Sequence, residues 1–196
     1  MKKILLLLLI PLLSFGQKKY TKNNHVYIKT EETRKSYEVE YNFKNHMGEE
    51  QRLTITLNKK STDQDIAKFG IPEWMFDRYT VTAQVTKERA QILSDGLYKK
   101  TGNKLVIDYS ATVNYYRAAL KNISDYLIRY LKKKGQDTRR DRIEIAMKFV
   151  QDIPYGLPYE YKTEKSKYGG YKYDDGVYSP LEVLIKGYGD CDSKTF

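Results

Sequence analysis

The sequence predicts an α+β fold, with a strand-rich N-terminal half followed by a helical C-terminal half. Three observations predict it. Tyr37 to Phe43 and Arg52 to Leu57 alternate apolar and polar residues, which is the period of half-buried strands. From Tyr116 the apolar residues recur at three and four positions through Leu120, Ile123, Leu127 and Tyr130 or Leu131, the stripe of an amphipathic helix. The change of period lies near Thr112 and divides the chain into a strand-rich region, 17–112, and a helical region, 113–196.

Taken in order, Met1 to Gly16 has a basic start at Lys2 and Lys3, an apolar run from Ile4 to Phe15, and small residues at Ser14 and Gly16. This is the pattern of a signal peptide over 1–16, cleaved after Gly16. The run is too short to span a bilayer. An exported protein is therefore expected, periplasmic or extracellular, with no stable membrane insertion after cleavage. Lys18 to Asn24 is polar and expected to fray. Val26-Tyr27-Ile28 reads as a strand, and the two alternating runs form a hairpin around the Asn45–Glu50 turn with its Gly48.

Ser61 or Thr62 is expected to cap a short helix through Lys68, ended by Gly70 and Pro72. Trp74, Phe76 and Tyr79 are expected to anchor the next segment in the core. Thr80 to Thr86 is a strand candidate, Glu88 to Leu93 a helical one, and Lys104 to Val113 a strand after the Thr101-Gly102-Asn103 turn. Gly135 ends the striped helix. Asp137 or Thr138 starts a second helix with Ile143, Ala146, Met147 and Val150 on one face, closed by Pro154. Ile153 to Tyr178 reads as a tyrosine-rich loop. Ser179-Pro180 then supplies an N-cap and a proline at the first helical position, and Gly187 ends that helix.

Charged residues make up 31% of the chain and mean hydropathy is −0.69, which excludes a multi-span membrane protein. The net charge of +10 is concentrated between Arg117 and Lys148, where ten Lys or Arg face four acidic residues. That pattern reads as a solvated helix surface. Nucleic acid is not expected as a partner of an exported chain with no recognition motif. The only histidines, His25 and His46, stand apart from each other and from the single cysteine, so no metal or other cofactor is expected from spacing.

That cysteine, Cys191, is the candidate catalytic residue. A lone thiol in an exported chain cannot pair within its own molecule. It sits in Gly187-Tyr188-Gly189-Asp190-Cys191-Asp192, where two glycines permit a tight turn and Asp190 can cap a new helical turn. A thiol at the start of a helical turn meets unpaired backbone N–H groups, which favour the thiolate and can stabilise an oxyanion. Asp190 and Asp192 work against this, so a positive partner such as an imidazolium would matter.

Three stretches in order carry a resemblance: Arg142 to Ile153 followed by Pro154-Tyr155, Tyr178-Ser179-Pro180-Leu181-Glu182-Val183-Leu184, and the Gly187–Asp192 turn. Together they are similar to the first half of the transglutaminase-like domain, a superfamily with a papain-like core. Its members include bacterial cysteine proteases, transamidating enzymes and deamidases. The resemblance covers Arg139 to Phe196 and implies a partial transglutaminase-like domain over 113–196, with Cys191 as nucleophile and a protein or peptide as substrate. Tyr155, Tyr159, Tyr161, Tyr168, Tyr171, Tyr173 and Tyr178 would be candidates to line a substrate cleft.

In that family the catalytic His and Asp follow the cysteine helix on later strands. The 196 residues end before such positions, so the chain by itself is expected to be inactive. The papain-like helix would also normally pack on a sheet, and without it the stripes over Leu120–Leu131 and Ile143–Val150 are expected to lack part of their cover. The competing readings are a non-catalytic envelope binding protein, a decayed gene product, and a thiol that forms a mixed disulfide with a partner. Oligomeric state is not legible.

Overall fold

The computed structural model describes residues 20–21, 27–72, 83–102, 104–158, 161–165, 171–173 and 176–195. The α+β class holds. In chain order the elements are β1 (Tyr20–Thr21), β2 (Tyr27–Glu32), β3 (Ser36–Lys44), β4 (Glu50–Asn58), α1 (Lys59–Lys68), β5 (Ile71–Pro72), α2 (Ala83–Ser94), β6 (Tyr98–Thr101) and β7 (Lys104–Ile107). They continue with α3 (Tyr109–Tyr116), α4 (Lys121–Lys134), α5 (Arg139–Asp152), β8 (Tyr155–Gly156), β9 (Tyr161–Lys165), β10 (Tyr171–Tyr173) and α6 (Pro180–Lys186).

The expected hairpin is present as β3 and β4, paired antiparallel from Ser36↔Asn58 to Lys44↔Glu50, with β2 on the other side of β3. Alternation decides which face is buried. Tyr37, Val39, Tyr41 and Phe43 of β3, and Leu53, Ile55 and Leu57 of β4, all turn into one core. Ile123, Leu127 and Leu131 of α4, Ile145 and Phe149 of α5, and Leu181, Val183 and Leu184 of α6 complete it. Residues from before and after Thr112 thus share a core. A second, smaller cluster gathers Phe69, Ile71, Ile92, Leu97, Leu105 and Ile107.

Several boundaries differ from expectation. The helix before Gly70 begins at Lys59, because Asn58 is its cap: Oδ1 accepts the Ser61 N–H at 3.1 Å, while Thr62 is buried inside the helix. Asn caps as well as Ser. The strand expected over Lys104–Val113 stops at Ile107, since Asp108 Oδ1 accepts the Ala111 N–H at 3.0 Å and starts α3. The expected strand at Thr80–Thr86 is helical from Ala83, where the helix formers from Lys87 to Leu93 outweigh local β-propensity. Its first residues, like Trp74, Phe76, Tyr79, His25 and the segment 1–16, lie outside the described residues.

The single helix expected from Tyr116 is two. The chain turns over Arg117–Leu120, and α4 starts at Lys121. The stripe survives the break, with Tyr116, Ile123, Leu127 and Leu131 all buried. Tyr20–Thr21, in the segment expected to fray, pairs with β8, and the tyrosine-rich loop contains β8, β9 and β10. Backbone groups make a ladder whatever the side chains, so short strands of this kind leave no periodic signal.

The largest correction concerns α5. The face expected to be apolar contains Ile143 and Met147, which are 49% and 54% exposed. The buried face is Ile145 and Phe149, against β3, and the Phe149 ring meets Tyr41 and Phe43 edge-on at 5.6 and 5.2 Å. An apolar groove of about 380 Å³ lies between α4, α5 and α6 on the Ile145/Phe149 side of α5, lined by Leu131, Ile145, Phe149, Val150, Val183 and Leu184 among others. The expected gap in cover is thus absent at Ile123, Leu127 and Leu131 of α4, which are buried, and is seen on α5 only at the exposed Ile143 and Met147.

Candidate functional site

Ser179 caps α6 as expected. Its side chain and the Glu182 carboxylate make a reciprocal capping box, with Pro180 at the first helical position. Both residues are buried, so the box satisfies polar groups that water cannot reach. Gly187 ends α6 at φ +71°, in the left-handed region, and a Cβ there would lie 2.8 Å from Ile28 Cγ2. Glycine is needed at this position both for its backbone conformation and for its lack of a side chain.

The chain next runs alongside the segment after α5. The Gly189 N–H donates to the Pro154 carbonyl at 3.2 Å, the Gly156 N–H donates to the Gly189 carbonyl at 3.2 Å, and Gly189 pairs in parallel with Tyr155. A Cβ on Gly189 would press on Val183 and Ser193 at 3.1 and 3.2 Å. Asp190 then starts a new turn over Cys191–Lys194: Oδ1 accepts the Ser193 N–H at 2.8 Å, and its carbonyl accepts the Lys194 N–H at 3.2 Å. Cys191 is the first residue of that turn and its side chain is exposed. Among the described residues the N–H groups of Cys191 and Asp192 meet no acceptor.

Two further residues hold the turn, and the sequence did not single them out. Buried Ser193 Oγ accepts the Tyr178 N–H at 2.8 Å, and Lys194 Nζ donates to the Ile153 carbonyl at 3.1 Å. The small size of Ser193 is the one legible hint, since a larger side chain would collide under Gly189. Of the tyrosines proposed for a cleft, Tyr155 is exposed and in register with Gly189, and Tyr171 is exposed. Tyr178 is in the core instead, its ring edge-on to Tyr188 and its hydroxyl 3.0 Å from the Tyr188 hydroxyl.

His46 is not part of this arrangement. It lies beside Asp141 and Glu144 in the first turns of α5, the one group of three metal-ligating side chains among the described residues. The cysteine turn is bonded to the segment just beyond the last turn. From Asp141 to Ile153 the helix rise amounts to about 18 Å, too far for an imidazole to take a proton from Cys191. No helix among the described residues is long and apolar enough to cross a membrane. No protein-family model, curated protein or solved structure matches the chain.

Proposed function

We propose that Cys191 is the nucleophile of an exported transglutaminase-like cysteine enzyme that cleaves or transfers protein or peptide amides. The observation that carries this reading is the cysteine turn. An exposed thiol stands first in a turn capped by Asp190, with two N–H groups beside it that meet no acceptor among the described residues and glycines where side chains would collide. A nucleophile needs this kind of exposure and fixed backbone, whereas a packing cysteine is buried.

In the reaction, Sγ bonds to the amide carbonyl carbon and the carbonyl oxygen takes up negative charge near the Cys191 and Asp192 N–H groups. The C–N bond then breaks, the nitrogen leaves as an amine carrying a proton from a general acid, and a thioester remains. Water or a second amine attacks the thioester and releases the thiol. His46, the imidazole among the described residues, lies with Asp141 and Glu144 at the far end of α5 and is not placed to be the acid–base group.

The test is to express the whole open reading frame that contains these residues and follow amine incorporation into, and ammonia release from, a glutamine-containing peptide. Turnover abolished by Cys191→Ser, with an acyl adduct on Cys191 found by mass spectrometry, is expected. Turnover unchanged by that substitution, or no adduct on Cys191, would sink the reading. One observation favours the alternative of a non-catalytic binding protein: the open apolar groove between α4, α5 and α6.

A further inference from the structure

Asp141 and Glu144 are three residues apart on α5, a spacing that puts both carboxylates on the same side of the helix. Each has one oxygen in use. Asp141 Oδ2 accepts from the Thr138 N–H and hydroxyl at 2.9 and 2.6 Å, and Glu144 Oε1 accepts from Arg140 Nε at 2.6 Å. The other oxygen of each carboxylate has no hydrogen bond among the described residues.

The third group arrives from a distant part of the chain. Asn45 fixes the β3–β4 turn by accepting the Met47 and Glu49 N–H groups, both at 2.9 Å, and Lys44 N–H docks the end of β3 on the Asp152 carboxylate at 3.0 Å. This carries His46 onto the first turns of α5. One donor atom from each of His46, Asp141 and Glu144 lies within 4.8 Å of the other two. Independently, the Nδ1 atom of half-buried His46 is itself buried and has no hydrogen-bond partner among the described residues. A buried polar atom left unpaired is costly, and on an imidazole next to two half-used carboxylates a bound cation would satisfy it.

We propose that His46, Asp141 and Glu144 bind a divalent first-row transition-metal ion, Zn²⁺ being the best match to one imidazole and two carboxylates. Mixed nitrogen and oxygen donors suit such ions, whereas Ca²⁺ and Mg²⁺ take oxygen ligands. Metal–ligand bonds of about 2.0–2.2 Å put tetrahedral donors roughly 3.3 Å apart, so the three side chains close on the ion by small rotations. Three protein ligands leave one position for water. The site joins the β3–β4 turn to the start of α5, about 18 Å of helix away from the cysteine turn, and the proposal is independent of any role for Cys191.

The experiment uses the full chain carrying Cys191→Ser, so that the thiol cannot bind metal, stripped with a chelator and titrated with ZnCl₂ in a calorimeter. One saturable equivalent is expected, with a thermal midpoint that rises with Zn²⁺ concentration. His46→Gln and Glu144→Gln are each expected to weaken binding by about tenfold or more, while His25→Gln leaves it unchanged. Asp141 is left alone because it also caps α5. Circular dichroism of the metal-free variants confirms that they fold, and Co²⁺ absorption gives a second readout that His46→Gln should abolish. No saturable binding by the parent, or variants that bind as the parent does, would overturn the proposal.

Discussion

On one side of α5, Ile145 and Phe149 are buried against β3. On the other, Ile143 and Met147 are about half exposed. The side chains are of similar size and hydrophobicity, so composition does not separate the two faces. What separates them is a neighbour. β3 presents Tyr41 and Phe43 at ring-packing distance to one face, whereas Ile143 and Met147 on the other keep about half their surface exposed. Apolar periodicity tells which residues can be buried, and the presence of a partner surface decides which are. The cysteine turn stands at the end of α5 and draws on the covered side for its support: Gly187 packs on Ile28 of β2, and Gly189 bonds to the segment that follows α5.

The largest expected effect tests the covered face. Phe149→Ala removes both edge-on ring contacts and leaves a cavity in the main core, a loss of about 3–5 kcal/mol in unfolding free energy by urea titration. A loss no greater than that of a surface substitution would mean the covered face is not carrying stability. Alkaline pH tests the same face. Burial pushes the Tyr41 and Tyr116 hydroxyls well above their ordinary range. A raised folded-state value gives stability that is whole below the unfolded-state value of about 10 and is lost as pH rises beyond it. Urea midpoints should therefore fall above about pH 10, less steeply in Tyr41→Phe, and a flat profile would contradict the burial.

Asp190→Ala removes the cap of the cysteine turn and is expected to cost about 1 kcal/mol or less, since the turn is short and partly exposed. It should also slow alkylation of Cys191 relative to cap-preserving Asp190→Asn, measured by mass spectrometry against an unfolded control. The smallest effect belongs to the open face. Met147→Ala should change stability by no more than about 0.5 kcal/mol, and a loss near that of Phe149→Ala would show that something covers the Ile143–Met147 face in solution.

The hairpin was legible because strict alternation has one meaning when one face is buried. The end of α4, the start of α5 and both ends of α6 were legible too: Gly135, Thr138, Ser179 and Gly187 act through bonds within a few residues, whatever the remaining fold does. The Asp190 cap belongs to the same class. Asn58 and Asp108 show the limit, since several residues near each helix start can cap and packing selects among them. The short strands β1, β5 and β8 escaped because two-residue ladders have no period to read. Ser193 and Lys194 escaped because their partners, Tyr178 and Ile153, come from other elements.

The sequence by itself determined the α+β class, the alternating hairpin, the helix stops at glycine and the turn that begins with Cys191, because each rests on local backbone and side-chain chemistry. Tertiary structure alone decided which face of α5 is buried, that Cys191 and His46 stand at opposite ends of that helix, and that His46 meets Asp141 and Glu144. These depend on how elements far apart in the chain are brought together, and no local pattern encodes that juxtaposition.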